Sequence, residues 1–401
     1  FRDSTQLMKI TALRTHKFSV PTGQEIRDPA TGQLLCSTSK PWLFLQLETD
    51  GGITGWGEGT GEWLTEPVEA TLHAWSELLV GRDPLQVSAL CEDIQDRLPW
   101  KGGPVFGSAI SAINQALYDI AGRAWNVPVH TILGGKRREQ VRVYAHTSLE
   151  SPEVAVEGAL AVQKAGYAGV KANPLEARTW QRDSAAVTQS VDCVEAVRKA
   201  LGDSFDILLD AHGSPTAELS VEFAEAIAAF RPLFLEEPIK VGSLESLEEV
   251  SSKSPVPIAT GEKLFHIRDF LPLIEARACA YLQPDVCHAF GIDGLVEIGR
   301  AALHAQMQMA PHNAGGPLCL AASLTANAVT PNFLIQELGD AWFRRFHTYV
   351  EHDWRIEGGH INVSDAPGLG LTVKLQDIES LPYEPMPYRQ YRHEDGSWKG
   401  W

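Results

Sequence analysis

Apolar and polar positions along the chain fall into two regimes. From residue 9 to residue 57 the pattern predicts three strands, 9–20, 41–48 and 52–57, with Asp50-Gly51-Gly52 joining the last two as a hairpin. A loop rich in glycine, proline and aspartate, 21–39, separates the first two. Helical periodicity follows over 66–80 and 108–125, where Ala109, Ile110, Ile113, Ala116, Leu117, Ile120 and Ala121 form one apolar stripe. This α+β unit ends near Gly134-Gly135. From Val141 the pattern changes to short apolar strands separated by amphipathic helices. The predicted strands are 141–146, 169–173, 206–210, 233–237, 257–261, 280–284, 308–311 and 333–336. Eight strands alternating with helices predict a (β/α)8-type barrel. A doubly wound sheet usually carries a glycine-rich phosphate turn after its first strand, and this chain has none there; two smaller α/β domains are the other alternative. Residues 351–401 break the alternation around Pro367-Gly368-Leu369-Gly370-Leu371 and are expected to fold back onto the first unit. The predicted organisation is a leader over 1–7 ahead of Met8, a cap over 8–135, a barrel over 136–350 and a returning segment over 351–401.

A parallel barrel places its chemistry at the C-terminal ends of its strands. Three consecutive strands finish there in acids, Asp210, Glu236 and Glu262, spaced by 26 residues each time. Carboxylates at one height on adjacent strands converge and repel, so they call for a cation, and an all-oxygen set suits Mg²⁺ or Mn²⁺ better than Zn²⁺. The bland alternative is that each acid caps the following helix, although caps favour Ser, Thr, Asp and Asn over Glu. His212, two residues beyond Asp210, is expected by strand alternation to face the barrel mouth. His312 ends the seventh strand, and Asp285, ending the sixth, is placed to orient its imidazole and strengthen it as a base. A histidine in such a place also serves often as a satisfied polar group. On the second strand Lys171 and Asn173 share a face, and the eighth offers Gln336-Glu337.

Charge and composition narrow the partners. The chain has 401 residues, 44% hydrophobic and 21% charged, and a formal charge of −17, so no basic stripe is available for a nucleic acid. No window holds eighteen apolar residues, and the first residues lack a signal-peptide pattern, which points to the cytoplasm and away from a membrane. The six cysteines, Cys36, Cys91, Cys193, Cys279, Cys287 and Cys319, form no CxxC pair and read as buried thiols. That includes Cys279 and Cys287, whose nearness to His288 suggests a metal site only superficially.

The motifs match a known family along nearly the whole chain. They are Val-Lys-Ala-Asn at 170–173, Asp-Ala-His-Gly at 210–213, Phe-Leu-Glu-Glu-Pro at 234–238, Gly-Glu-Lys at 261–263, Gln-Pro-Asp at 283–285, Ala-Pro-His at 310–312 and Gln-Glu at 336–337. Ala-Leu-Tyr-Asp-Ile-Ala-Gly-Arg at 116–123 and Pro-Gly-Leu-Gly at 367–370 extend the match outside the barrel. The chain resembles the mandelate racemase subgroup of the enolase superfamily, and within it the galactonate dehydratase type of acid-sugar dehydratase. The resemblance implies a modified (β/α)7β barrel under an α+β capping domain. It implies Asp210, Glu236 and Glu262 as Mg²⁺ ligands, with Mn²⁺ as the substitute. His312 with Asp285 would be the base for the C2 proton, and His212 the acid for the departing 3-hydroxyl. Lys171 and Glu337 match positions that contact the substrate carboxylate, and Asn173 stands where racemases of the subgroup carry a lysine. It also implies a small-molecule carboxylate as partner and a homo-oligomer.

Asn173 cannot take up a proton at neutral pH, so a single base paired with one acid favours β-elimination over racemisation. Three rival activities would behave differently. A racemase or epimerase of the subgroup would exchange the α-proton without loss of water. A barrel glycosidase using Glu236 and Glu262 would survive chelation. A non-catalytic barrel would bind without turnover. Specificity is implied to lie in the capping loops 21–39 and 57–67, where Trp56 and Trp63 are placed equally well as a lid or as core. Lys263 and the segment Asn313-Ala314-Gly315 depart from the galactonate type and leave the sugar open.

Overall fold

The computed structural model describes residues 7–22, 26–27, 34–36, 39–175, 184–388 and 396. Most of the 21–39 loop and residues 1–6 of the expected leader therefore lie outside the described residues.

The cap is built on a three-stranded antiparallel sheet, Ile10–Pro21 and Thr54–Glu58 flanking Ser39–Thr49. The central strand is buried on both faces: Trp42 and Phe44 stand edge-on to Phe18, and Trp42 also meets Phe346 and Tyr349 from beyond the barrel. The sequence predicts one helix over 66–80; the structure breaks it into Thr65–Ala74 and Ser76–Leu79 at Trp75, and adds Val87–Arg97, which was not foreseen. Helix Gly103–Trp125 is the larger surprise. Its apolar stripe suggests one buried face, yet residues 106–122 are buried all round. It is wedged between strand Thr54–Glu58 and barrel helix Gly291–His304. The strand side is so close that a Cβ on Gly57 would lie 2.0 Å from the Ala112 carbonyl oxygen, so only glycine fits. The polar residues of the helix bond to its neighbours on both sides. Ser111 Oγ accepts from Gly291 N, Asn114 Oδ1 accepts from Ile292 N, and Asp119 accepts from Trp56 N and Leu369 N. A polar helix face here is an interface within the molecule, which periodicity alone reads as solvent.

The barrel strands are Gln140–Thr147, Gly169–Ala172, Asp206–Asp210, Phe234–Glu236, Ile258–Thr260, Tyr281–Leu282, Gln308–Met309 and Gln336–Glu337. Each pairs in parallel with the next as far as the seventh. The eighth closes the ring on the first through Gln336↔Val143 and Glu337↔Tyr144, and Phe333 bridges back to Met309. The last three strands are shorter than the apolar runs suggest, and the eighth shifts from 333–336 to Gln336–Glu337.

The interior explains the height of the site. One apolar layer holds Tyr144, Leu208, Phe234, Ala259, Ala310 and Ile335. Because side chains alternate along a strand, residues two further on face inward in the next layer. Those residues are His146, Asp210, Glu236, Gly261, His312 and Glu337. Gly261 is the exception that admits Glu262. At φ 142 its backbone passes so near the sixth strand that a Cβ would lie 2.9 Å from Gln283 N. Gly261→Ala is expected to cost about 1–3 kcal/mol, read as a lower midpoint in equilibrium urea unfolding; an unchanged midpoint would refute the crowding argument.

The segment after the barrel does two things. His360–Asn362 pairs antiparallel with the start of the first barrel strand. The chain then returns to the cap, where Arg123 donates to the Leu371 carbonyl and Ser19 N donates to the Pro382 carbonyl.

Candidate active site

The strand ends bring Asp210, Glu236 and Glu262 together, with one oxygen of each within 4.8 Å of the others. Register places Asp210 directly opposite Glu236. Both are fully buried, and Glu236 Oε2 and Glu262 Oε2 accept no hydrogen bond. Burial, followed by the neighbouring Asp210 charge, pushes the Glu236 carboxyl well above its ordinary range. Three converging carboxylates, with unused lone pairs on Glu236 and Glu262, are the donor set that a hard divalent cation satisfies, so Mg²⁺ fits these three residues.

Lys171 is the cation that the protein itself supplies. Only 3% exposed, its Nζ lies 3.0 Å from Asp210, 2.9 Å from Glu236 and 2.8 Å from Glu337. Burial disfavours its charge, but the three carboxylates outweigh that and hold it firmly protonated. The residue expected at the substrate carboxylate is thus also tied into the acidic cluster.

Two imidazoles stand at the two ends of the trio. His312 Nδ1 lies 2.7 Å from Asp285 Oδ2, leaving Nε2 facing Glu262 at 3.5 Å and Glu337 at 3.8 Å. Asp285 is itself fixed by the Cys287 N–H at 2.6 Å. Burial works against a charge on His312, but Glu262, Glu337 and Asp285 together raise its proton affinity well above the ordinary value.

His212 Nε2 lies 2.9 Å from Asp210 Oδ2, and the His212 backbone N–H donates to Asp210 Oδ1. Strand alternation does not place it. The strand ends at Asp210, and His212 adopts φ 51, so a left-handed turn rather than the pleat aims the ring. Burial would favour the neutral ring, but Asp210 prevails and pushes it up to about 9. Asn173, just past its strand, places Nδ2 2.9 Å from His212 Nδ1; its carboxamide turned over would accept from the protonated ring.

Several residues were missed in the sequence. His146 Nε2 lies 2.6 Å from Glu337 Oε1, and the Asn313 N–H donates to the same carboxylate. Alternation from inward-facing Tyr144 predicts His146 on the same face, but it is not a strand-end acid and no motif marks it. Glu237, buried at φ 43, pairs with Lys263, whose ammonium also lies 3.5 Å from Glu262. Burial and then Glu262 push Glu237 up to about 8. The thiols also group differently from expectation: Asp285, Cys287 and Cys319 approach one another, whereas His288 turns to Ser108. Burial pushes Cys287 up to about 12, so it packs as a neutral thiol. Trp56 belongs to the cap core, while half-buried Trp63 donates to the Pro387 carbonyl. Among the described residues no helix is long and apolar enough to cross a membrane.

Comparison with known proteins agrees with this architecture. Residues 154–378 match the enolase C-terminal domain-like family, and residues 15–134 match the mandelate racemase/muconate lactonizing enzyme N-terminal domain. D-galactonate dehydratase of Ralstonia pickettii is 35% identical over 368 residues, 90% of this chain and 96% of that protein. D-galactonate dehydratase of Cronobacter sakazakii is 32% identical, with the same two shares covered. A solved member of the enolase superfamily from Salmonella Typhimurium superposes with a TM-score of 0.83 at 25% identity, covering 94% of this chain and 99% of that one. The chain therefore belongs to the enolase superfamily, in its mandelate racemase subgroup.

Proposed function

We propose that this protein is a hydro-lyase that dehydrates an acid sugar, an aldonate such as galactonate or gluconate, to a 2-keto-3-deoxy acid. The observation that carries it is the His312–Asp285 pair, in which Nδ1 is committed to Asp285 at 2.7 Å and Nε2 is left facing the carboxylate cluster. The similarity to D-galactonate dehydratases supports the same chemistry.

Asp210, Glu236 and Glu262 would hold the divalent cation. Such a cation supplies positive charge where an α-proton is withdrawn from a carboxylate, which is where negative charge builds up. The remaining steps fall to the protein's own groups. Lys171 adds a fixed positive charge to the same cluster. His312 takes the C2 proton on Nε2; Asp285 holds the tautomer and offsets the imidazolium charge. His212, protonated through Asp210, gives its proton to the 3-hydroxyl. The C2–H and C3–O bonds break, a C2=C3 bond forms, water leaves, and the enol tautomerises to the keto acid. Asn173 supports the acid at a position where a second base would be needed for racemisation.

A panel of acid sugars incubated with Mg²⁺ in D₂O tests this directly. Keto-acid formation that stops with EDTA is expected; α-deuteration without loss of water would replace dehydration with epimerisation. His212→Asn is expected to cut keto-acid formation by about 100-fold or more while sparing C2 exchange. Loss of both reactions together would refute the assignment of His212 as acid alone.

A further inference from the structure

Asp285 belongs to a second group of ligand atoms besides its pair with His312. Cys287 Sγ, Cys319 Sγ and a carboxylate oxygen of Asp285 all lie within 4.8 Å of one another. Two turns assemble this group. Asp285 and Cys287 follow the sixth barrel strand, where the Cys287 N–H donates to Asp285 Oδ1. Cys319 stands in the first turn of helix Pro317–Val329, which Glu58 of the cap fixes by accepting from Gly316 N at 2.6 Å and Cys319 N at 2.9 Å. Gly315 leaves room beside the sulfur, since a Cβ there would lie 2.8 Å from Cys319 Sγ. Asp285, Cys287 and Cys319 are each at most 1% exposed.

The spacing suits a tetrahedral ion. With metal–sulfur bonds of about 2.3 Å and a metal–oxygen bond of about 2.1 Å, tetrahedral ligand atoms stand about 3.6–3.8 Å apart. Cys319 Sγ is 3.9 Å from Asp285 Oδ1. Two sulfurs favour a thiophilic ion over Mg²⁺, which prefers oxygen ligands in an octahedron. Burial keeps both thiols neutral in the free protein. An incoming dication displaces both protons to solvent, and the two thiolates that form cancel its two charges. A dry interior that rejects an isolated dication accepts that neutral assembly.

The carboxylate is shared between the two groups. Asp285 Oδ2 holds His312 Nδ1 at 2.7 Å, whereas Oδ1 faces the Cys319 thiol. We propose that Cys287, Cys319 and Asp285 form a second metal site, selective for a thiophilic divalent ion of the Zn²⁺ class, whose occupation slows catalysis by drawing on the carboxylate that holds His312. A carboxylate that ligates a cation has less charge left for the imidazolium beside it, so the base is less well compensated. Metal binding stands apart from the dehydratase reading; the inhibition rests on it.

Cd²⁺ is the probe, added to the full-length protein in saturating Mg²⁺ and left to equilibrate because both sulfurs are buried. Cadmium held by thiolates gives an ultraviolet charge-transfer band, which reports on the sulfurs directly. The band is expected in the parent and should weaken in Cys287→Ser and in Cys319→Ser. Cys279→Ser, at a buried thiol outside the group, should leave it unchanged. Thermal unfolding checks that each variant is folded, and alanine replaces serine where the hydroxyl unsettles the core. Keto-acid formation should fall as the band grows, without relief by excess Mg²⁺. Cys319→Ser should raise the Cd²⁺ concentration for half-inhibition by about tenfold or more. Absence of the band in the parent, or its survival when both Cys287 and Cys319 are replaced, overturns the site. Inhibition that is unchanged in Cys319→Ser overturns the coupling to His312. An unmodified enzyme that forms no keto acid from any sugar in the panel fails the dehydratase reading instead, and the band still decides the metal site.

Discussion

His312→Asn is expected to lower keto-acid formation by about 100- to 10,000-fold, the range that a positioned general base contributes. C2 exchange should disappear with it, because a single group is assigned to that proton. Asparagine fills similar space and keeps a donor for Asp285, so the fold and the carboxylate cluster should persist. Thermal unfolding with and without Mg²⁺ checks this: the variant should show the same metal-induced rise in Tm as the parent. Activity lost with the Mg²⁺ response intact assigns the loss to chemistry. Full retention of exchange would move the base elsewhere, and Lys263, partly exposed beside Glu262, would then be the first residue to examine.

Much of this site was legible because strand alternation and the barrel's single functional face are both periodic. Asp210 and Glu236 continue the inward-facing rows of Leu208 and Phe234, so their convergence follows from spacing alone. His312 continues Ala310 and Glu337 continues Ile335 in the same way. Glu262 and His212 break that rule. Each is delivered by an irregular backbone, Gly261 at φ 142 and His212 at φ 51, and a period-two argument has no term for a turn. Glu262 shows in the sequence through its 26-residue spacing from Glu236, one βα unit, whereas His212 reaches the site by a turn that alternation does not describe.

The cap was less legible for a different physical reason. Its contribution depends on contacts between distant segments, such as Glu58 on Gly316 and Lys40 beneath Trp342. Helix Gly103–Trp125 shows the same limit: Ser111, Asn114 and Asp119 look solvated in a helical projection, yet each is spent on a backbone group of another element. Patterning locates faces; it does not say what covers them.

Lys171→Met is expected to destabilise the chelated protein by about 3–5 kcal/mol, the cost of removing one partner from a buried ion cluster. Lys171 is the ammonium within 3.0 Å of Asp210, Glu236 and Glu337 at once, and methionine replaces its bulk but not its charge. Left without it, the buried Asp210, Glu236 and Glu337 carboxylates would face one another with no ammonium between them. Added Mg²⁺ should therefore stabilise the variant more than the parent, since one less positive charge makes the trio a tighter trap for a dication. By linkage, saturation to about 100 times Kd adds about 2.7 kcal/mol, and the variant should reach that gain at lower Mg²⁺. The measurement is Tm against Mg²⁺ concentration for both proteins, starting in EDTA. Equal Tm values in EDTA would show that the lysine does not neutralise the cluster. A smaller Mg²⁺ response in the variant would show that Lys171 assists the cation's binding rather than competing with it for the same carboxylates.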